Sequence, residues 1–180
     1  MNVNRYRVWM LAINLIGGSA VIGSYIWGFA GRPGAADLLW GGVPASIRPF
    51  YTAGMLLAAA GYFAFSYFLV FRIGPIQTTI FRRFDARLYP LLYAGILLPS
   101  ALWMPATLWA ADHPSQYSVW IVRGVLIVVA LFSLGLLAAL IGTRPRDPKW
   151  AHALSVTGVM AFCLQTVVLD AIVWGAAFGG

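Results

Sequence analysis

The chain has no Glu, one Lys (Lys149), one Cys (Cys163) and two His (His113 and His152) among its 180 residues, and only 9% of its side chains are charged. Each shortage removes a class of function. A lone cysteine excludes an intrachain disulfide, a Cys-ligated cluster and a CxxC redox pair. His113 and His152 fall on opposite sides of the membrane in the topology derived below, so they cannot jointly hold a haem or a metal in one subunit, and a cytochrome b type carrier is not expected. No Gly-rich phosphate loop is present, and no serine has a base at matching depth, so a nucleophile triad lacks parts. Asp112 and His113 are adjacent, but they read as a solvated turn before Pro114. An enzyme is therefore the least favoured class.

What is present is apolar. Hydrophobic residues make up 61% of the chain and the mean hydropathy is +0.82, which excludes a water-soluble domain. The net charge of +7 sits in short runs between apolar stretches, so it reports topology and not a nucleic-acid partner. Charges and Pro/Gly punctuation delimit five runs, at 8–30, 51–71, 88–110, 119–141 and 153–174. Each is long enough to cross a hydrocarbon core of about 30 Å as a helix. The first run is too long for a signal-peptide core and reads as a retained span. The fold class is all-α, a single bundle of five transmembrane helices over 1–180.

Nine of the twelve cations lie on one side: Arg5, Arg7, Arg72, Arg82, Arg83, Arg87, Arg144, Arg146 and Lys149. The positive-inside rule then gives a cytoplasmic N-terminus and an outside C-terminus, with a bacterial inner membrane as the expected location. Trp9 and Trp150 fall at the inner boundary, and Trp27, Trp109, Trp120 and Trp174 near the outer one, as interfacial belts do. The outer connection, 31–50, sets Gly and Pro around Leu38, Leu39 and Trp40 and reads as a compact lid lying back on the bundle. The inner connection, 72–87, spaces Ile76, Ile80, Phe81 and Phe84 as an interfacial helix would, though a solvated basic turn fits the same residues. Small residues at Gly17, Gly18, Gly23, Gly54, Ala58 and Gly61 allow close helix packing within the bundle or a homodimer seam.

Two ionisable residues lie within apolar runs, Arg123 and Asp170. A charge near mid-membrane costs roughly 2.5 to 3.5 kcal/mol on insertion scales, so it is expected to face the bundle interior, water or a partner. Their depths match, and an antiparallel fourth and fifth span would let them pair, either as a structural ion pair or as the polar end of a cavity. Gln165 offers a second polar contact or a bond to a neighbouring helix. The third span holds Pro90, Pro99 and Pro105, which predict a kinked wall. With Tyr93, Ser100 and Trp103 it would form either the aromatic side of a pocket for a flat apolar ligand or a packing helix.

The third span also carries Tyr93, Leu97, Leu102, Trp103, Met104 and Pro105 at a spacing that resembles the tryptophan-rich sensory protein and translocator protein family, with Ser100 in place of that family's Asn. Five spans, a Pro- and Trp-containing first loop and a high Trp content are similar. The loop sequence from Leu39 to Pro44 and the ending at Phe178, Gly179 and Gly180 depart from the family pattern. The resemblance implies a tetrapyrrole or sterol-like ligand. The sequence-based expectation is thus a protein of the lipid bilayer that binds an apolar, planar small molecule between helices under the 31–50 loop. In it Trp40 is the lid contact, Tyr93, Ser100, Trp103 and Pro105 the wall, and Arg123, Gln165 and Asp170 the polar anchors. Two other readings stay open: an oligomeric channel or transporter using Arg123 and Asp170, and an accessory subunit of a larger membrane complex.

Overall fold

A computed structural model describes residues 2–179. Its helices are α1 (Val3–Gly31), α2 (Ala35–Trp40), α3 (Ala45–Arg72), α4 (Leu88–Asp112), α5 (Gln116–Gly142) and α6 (Lys149–Ala177). All but α2 are long and apolar enough to cross a membrane. The five expected spans are therefore present. Each extends beyond its apolar run, and two begin at a side-chain cap: Asn2 accepts from the Arg5 N–H at 2.8 Å to start α1, and Ser115 with Ser118 forms a reciprocal capping box at the start of α5. Outward faces carry large apolar side chains such as Ile16, Phe63 and Leu102. A solvated surface would not tolerate so many, and lipid does.

The chief helix pairings are α1 with α4, α4 with α5, α5 with α6, and α6 with α3. Close approach has identifiable causes. A Cβ on Gly61 of α3 would press on the Gly158 carbonyl of α6, and one on Gly17 of α1 would meet Leu97 of α4. Small residues here serve packing within the bundle. The ring of helices closes between α1 and α3 only toward one end, where Tyr62 donates to Asn14 Oδ1 at 2.5 Å and α1 meets the last turn of α3. Beyond Asn14, α1 is seated on α4, through Gly17 on Leu97 and Gly28 on Met104, and not closely on α3.

That closed end carries the nine clustered cations and is called inner here. Its core gathers Tyr6, Met10, Phe65, Phe68, Tyr89, Tyr93, Leu136 and Leu140, while an outer core holds Val43, Tyr51, Val122, Trp174 and Phe178. The inner connection is not an interfacial helix. It forms two short strands, β1 (Thr79–Ile80) and β2 (Phe84–Asp85), which join β3 (Thr143–Arg144) in an antiparallel sheet of order β2-β1-β3. Phe81 and Arg82 adopt φ of 51° and 58°, left-handed values that no right-handed helix accommodates, and the Arg83 N–H closes the turn on the Ile80 carbonyl at 3.1 Å. Ile80 is fully buried where β1 meets the end of α5.

At the outer end the 31–50 connection lies back on the bundle. Trp174 Nε1 donates to the Leu39 carbonyl at 2.7 Å, Val43 is buried, and a Cβ on Gly42 would strike the Ala177 carbonyl. Arg32 and Asp112 tie the outer ends of α1 and α4 at 2.6 Å.

Candidate functional site

The outer half of α6 departs from α-helical geometry. From Leu164 to Trp174 it winds with i→i+5 hydrogen bonds, a form found mostly as single-turn bulges and frequently at functional sites. In an α-helix residues five apart point about 140° from one another at 3.6 residues per turn. The wider turn instead brings them to one face, and Gln165 Nε2 donates to Asp170 Oδ1 at 2.7 Å. Tyr51 on α3 donates to the Leu169 carbonyl of the same stretch at 2.6 Å.

Asp170 does not pair with Arg123, contrary to the sequence-based expectation. Among the described residues the ion pairs are Arg32 with Asp112 and Arg87 with Asp85. The reason lies in facing direction, because the π-helical winding turns the Asp170 carboxylate toward α1 and α3. There it is half-buried and within electrostatic reach of the hydroxyls of Tyr25 on α1 and Tyr51 on α3. Arg123 faces elsewhere. Its Nη2 donates to the Phe178 carbonyl at 3.0 Å and its guanidinium lies over the Trp120 ring, 5.4 Å from the centroid. It lines a separate outer recess of about 490 Å³ with Ala110, Pro114, Val119 and Phe178.

The aromatic wall of α4 also divides. Trp103 sits in the outer half, with ring centroids 5.8 Å from Tyr25 and 5.4 Å from Trp174. Tyr93, ten residues earlier and so about 15 Å away along the helix, is sealed in the inner core, where its hydroxyl shares a 2.9 Å hydrogen bond with Ser66. It therefore shares no pocket wall with Trp103. Ser100 donates to the Ile96 carbonyl of its own helix at 2.7 Å, and Pro105 is half-buried in a helix that runs unbroken through Pro99 and Pro105. Trp40 packs edge-on to Tyr51 at 6.2 Å and under the Arg48 guanidinium at 5.2 Å, at the roof of the outer core.

Two buried polar atoms near Asp170 make no hydrogen bond among the described residues: the Trp103 indole Nε1, a donor, and Gln165 Oε1, an acceptor that lies against Gly54 of α3. Leaving such a group unpaired costs about 1 to 3 kcal/mol. The site thus assembled has Trp103, Gln165 and Asp170 from the sequence-based set. It adds Tyr25 and Tyr51, which no sequence pattern singles out. It borders the outer seam where α1 and α3 stand apart.

Comparison with protein-family models, with curated proteins and with solved structures finds no match to this chain. The seam itself offers aromatic faces, one carboxylate, one unpaired donor and one unpaired acceptor, all within the apolar depth of the bundle.

Proposed function

We propose that this is a membrane-embedded binding protein that takes an apolar, ring-bearing ligand from the lipid through the outer seam between α1 and α3. The observation that carries the reading is the conjunction at that seam of an unpaired indole N–H on Trp103, an unpaired amide oxygen on Gln165 and the Asp170 carboxylate. A ligand with one acceptor and one donor satisfies both orphaned atoms, and its rings stack or pack edge-on against Tyr25 and Trp103. The 31–50 connection, tied down through Leu39 and Trp174, roofs the outer core above. The resemblance of the α4 residues around Trp103 to the tryptophan-rich sensory protein family supports tetrapyrroles and sterols as the first classes to try.

The test is a titration of the purified full chain in detergent with a porphyrin, a sterol and a phospholipid, followed by tryptophan fluorescence. Saturable quenching by a ring-bearing ligand is expected, weakened about tenfold, or 1.4 kcal/mol, by Trp103→Phe and by Asp170→Asn. Absence of saturable quenching by every ligand overturns the proposal, and so does quenching that both variants leave unchanged.

A further inference from the structure

The inner end holds a second cavity, of about 470 Å³, lined by Arg144, Pro145, Arg146, Asp147, Lys149 and His152. It lies between the end of α5 and the start of α6. Arg146 is committed to the chain, donating from Nη2 to the Ile141 carbonyl at 2.7 Å. Arg144 and Lys149 are exposed and take part in no ion pair among the described residues, and neither does Asp147. The cavity therefore brings three cations against one carboxylate. The N-terminus of α6 opens onto it without a side-chain cap, since Pro148 precedes Lys149, and the helix dipole adds positive potential there.

His152 supplies an independent indication of a ligand. It is more than nine-tenths buried yet lines the cavity, and only its Nε2 is engaged, with the Leu140 carbonyl at 2.9 Å. With Nε2 donating to that carbonyl, Nδ1 is left as an acceptor for a hydroxyl of the ligand, such as one on a glycerol headgroup. Beside the cavity, Arg72 lies over Tyr67 and Trp150, at 5.2 and 5.8 Å, and Trp150 and Ile141 are exposed at this end of the apolar belt.

We infer that this cavity binds a phosphate ester at the inner membrane surface, with Arg144, Lys149 and His152 as its contacts. The acyl chains of a phospholipid would lie along the exposed apolar sides of Ile141 and Leu154. Basic pockets between helices on this side of a membrane suit anionic headgroups. The same contacts suit a water-soluble phosphate ester, and the experiment separates the two sources.

Native mass spectrometry of the full chain in detergent measures binding of phosphatidylglycerol, phosphatidylcholine and glycerol phosphate. The double variant Arg144→Gln/Lys149→Gln is compared with Arg82→Gln/Arg83→Gln, which removes the same charge from the β1–β2 turn. Selective binding of phosphatidylglycerol, weakened roughly tenfold by the first pair and not by the second, supports the proposal with a lipid as the source. The same pattern with glycerol phosphate supports it with a soluble ester as the source. Equal losses in the two double variants, or equal binding of phosphatidylglycerol and phosphatidylcholine with no glycerol phosphate bound, overturn it. Lys149→Gln alone, at an exposed side chain, carries the same comparison should the double variant fail to fold.

Discussion

Gln165 and Asp170 are held together across five residues, with Nε2 donating to Oδ1 at 2.7 Å, because the outer half of α6 winds with i→i+5 bonds. The pair places one hydrogen-bonded carboxylate inside an apolar bundle, where an unpartnered polar group is costly. Gln165→Leu removes the donor and is expected to destabilise the fold by about 1 to 3 kcal/mol. Asp170→Asn keeps an acceptor for Nε2 and should cost less than about 1 kcal/mol on the same scale. Thermal unfolding of both variants in one detergent checks the order, and an Asn variant weaker than the Leu variant would contradict it.

The glycines separate into those that set helix distance and those that do not. A Cβ on Gly158 would lie 2.7 Å from the Gly61 carbonyl oxygen and 3.0 Å from its Cα, both backbone atoms that cannot swing aside. Gly158→Ala is therefore expected to push α3 from α6 and cost about 1 to 3 kcal/mol, as overpacking does. At Gly18 and Gly23 a Cβ meets nothing within 4 Å, so Ala there should be neutral or stabilising by up to about 1 kcal/mol through helix propensity. Unfolding of the single variants compares the two groups.

How far the residues alone reveal this arrangement depends on the range of the interaction. The five spans were legible because each apolar run is bounded locally by charge, Pro or Gly, and the lid was legible because Leu38, Leu39 and Trp40 sit among them. The inner connection was not. Ile80 and Phe81 fit a helical period, but what decides their state is the pairing of Ile80 with Thr143, far away in the sequence, together with the left-handed turn at Phe81 and Arg82. The Arg123 and Asp170 expectation failed for a similar reason. Matching depths say nothing of facing direction, and no local residue pattern announces the π-helical winding that turns Asp170 toward Tyr25 and Tyr51.

Trp174 joins the lid to the bundle through a single directional contact. Its Nε1 donates to the Leu39 carbonyl at 2.7 Å, while its ring stacks on Phe178 at 4.5 Å. Trp174→Phe keeps an aromatic ring for the stack and loses the hydrogen bond, which is worth about 1 kcal/mol. The expected result is faster amide exchange over residues 35–43 with little change in the core of α4 and α5, since local opening follows local contacts. Hydrogen exchange read by mass spectrometry checks it. Unchanged exchange over the lid would mean that Val43 and the Gly42 contact with Ala177 hold it unaided.

The cations at the inner end predict an orientation in the membrane. Arg5 and Arg7 lie in the first turns of α1, Arg72 ends α3, Arg82 and Arg83 sit on the β1–β2 turn, Arg87 precedes α4, and Arg144, Arg146 and Lys149 surround the inner cavity. Only Arg32, Arg48 and Arg123 belong to the opposite half, and Arg32 is neutralised by Asp112 at 2.6 Å. The positive-inside rule predicts that short loops this biased stay on the cytoplasmic side. Cys163 is buried and is the one cysteine, so a Cys163→Ala background accepts single reporter cysteines. In intact cells a membrane-impermeant maleimide should label Asp37→Cys on the lid, and should label Arg83→Cys on the turn only after permeabilisation. The reverse pattern would place the cationic end outside, and with it the cavity lined by Arg144, Lys149 and His152, leaving the seam beside Asp170 to open from the cytoplasmic leaflet.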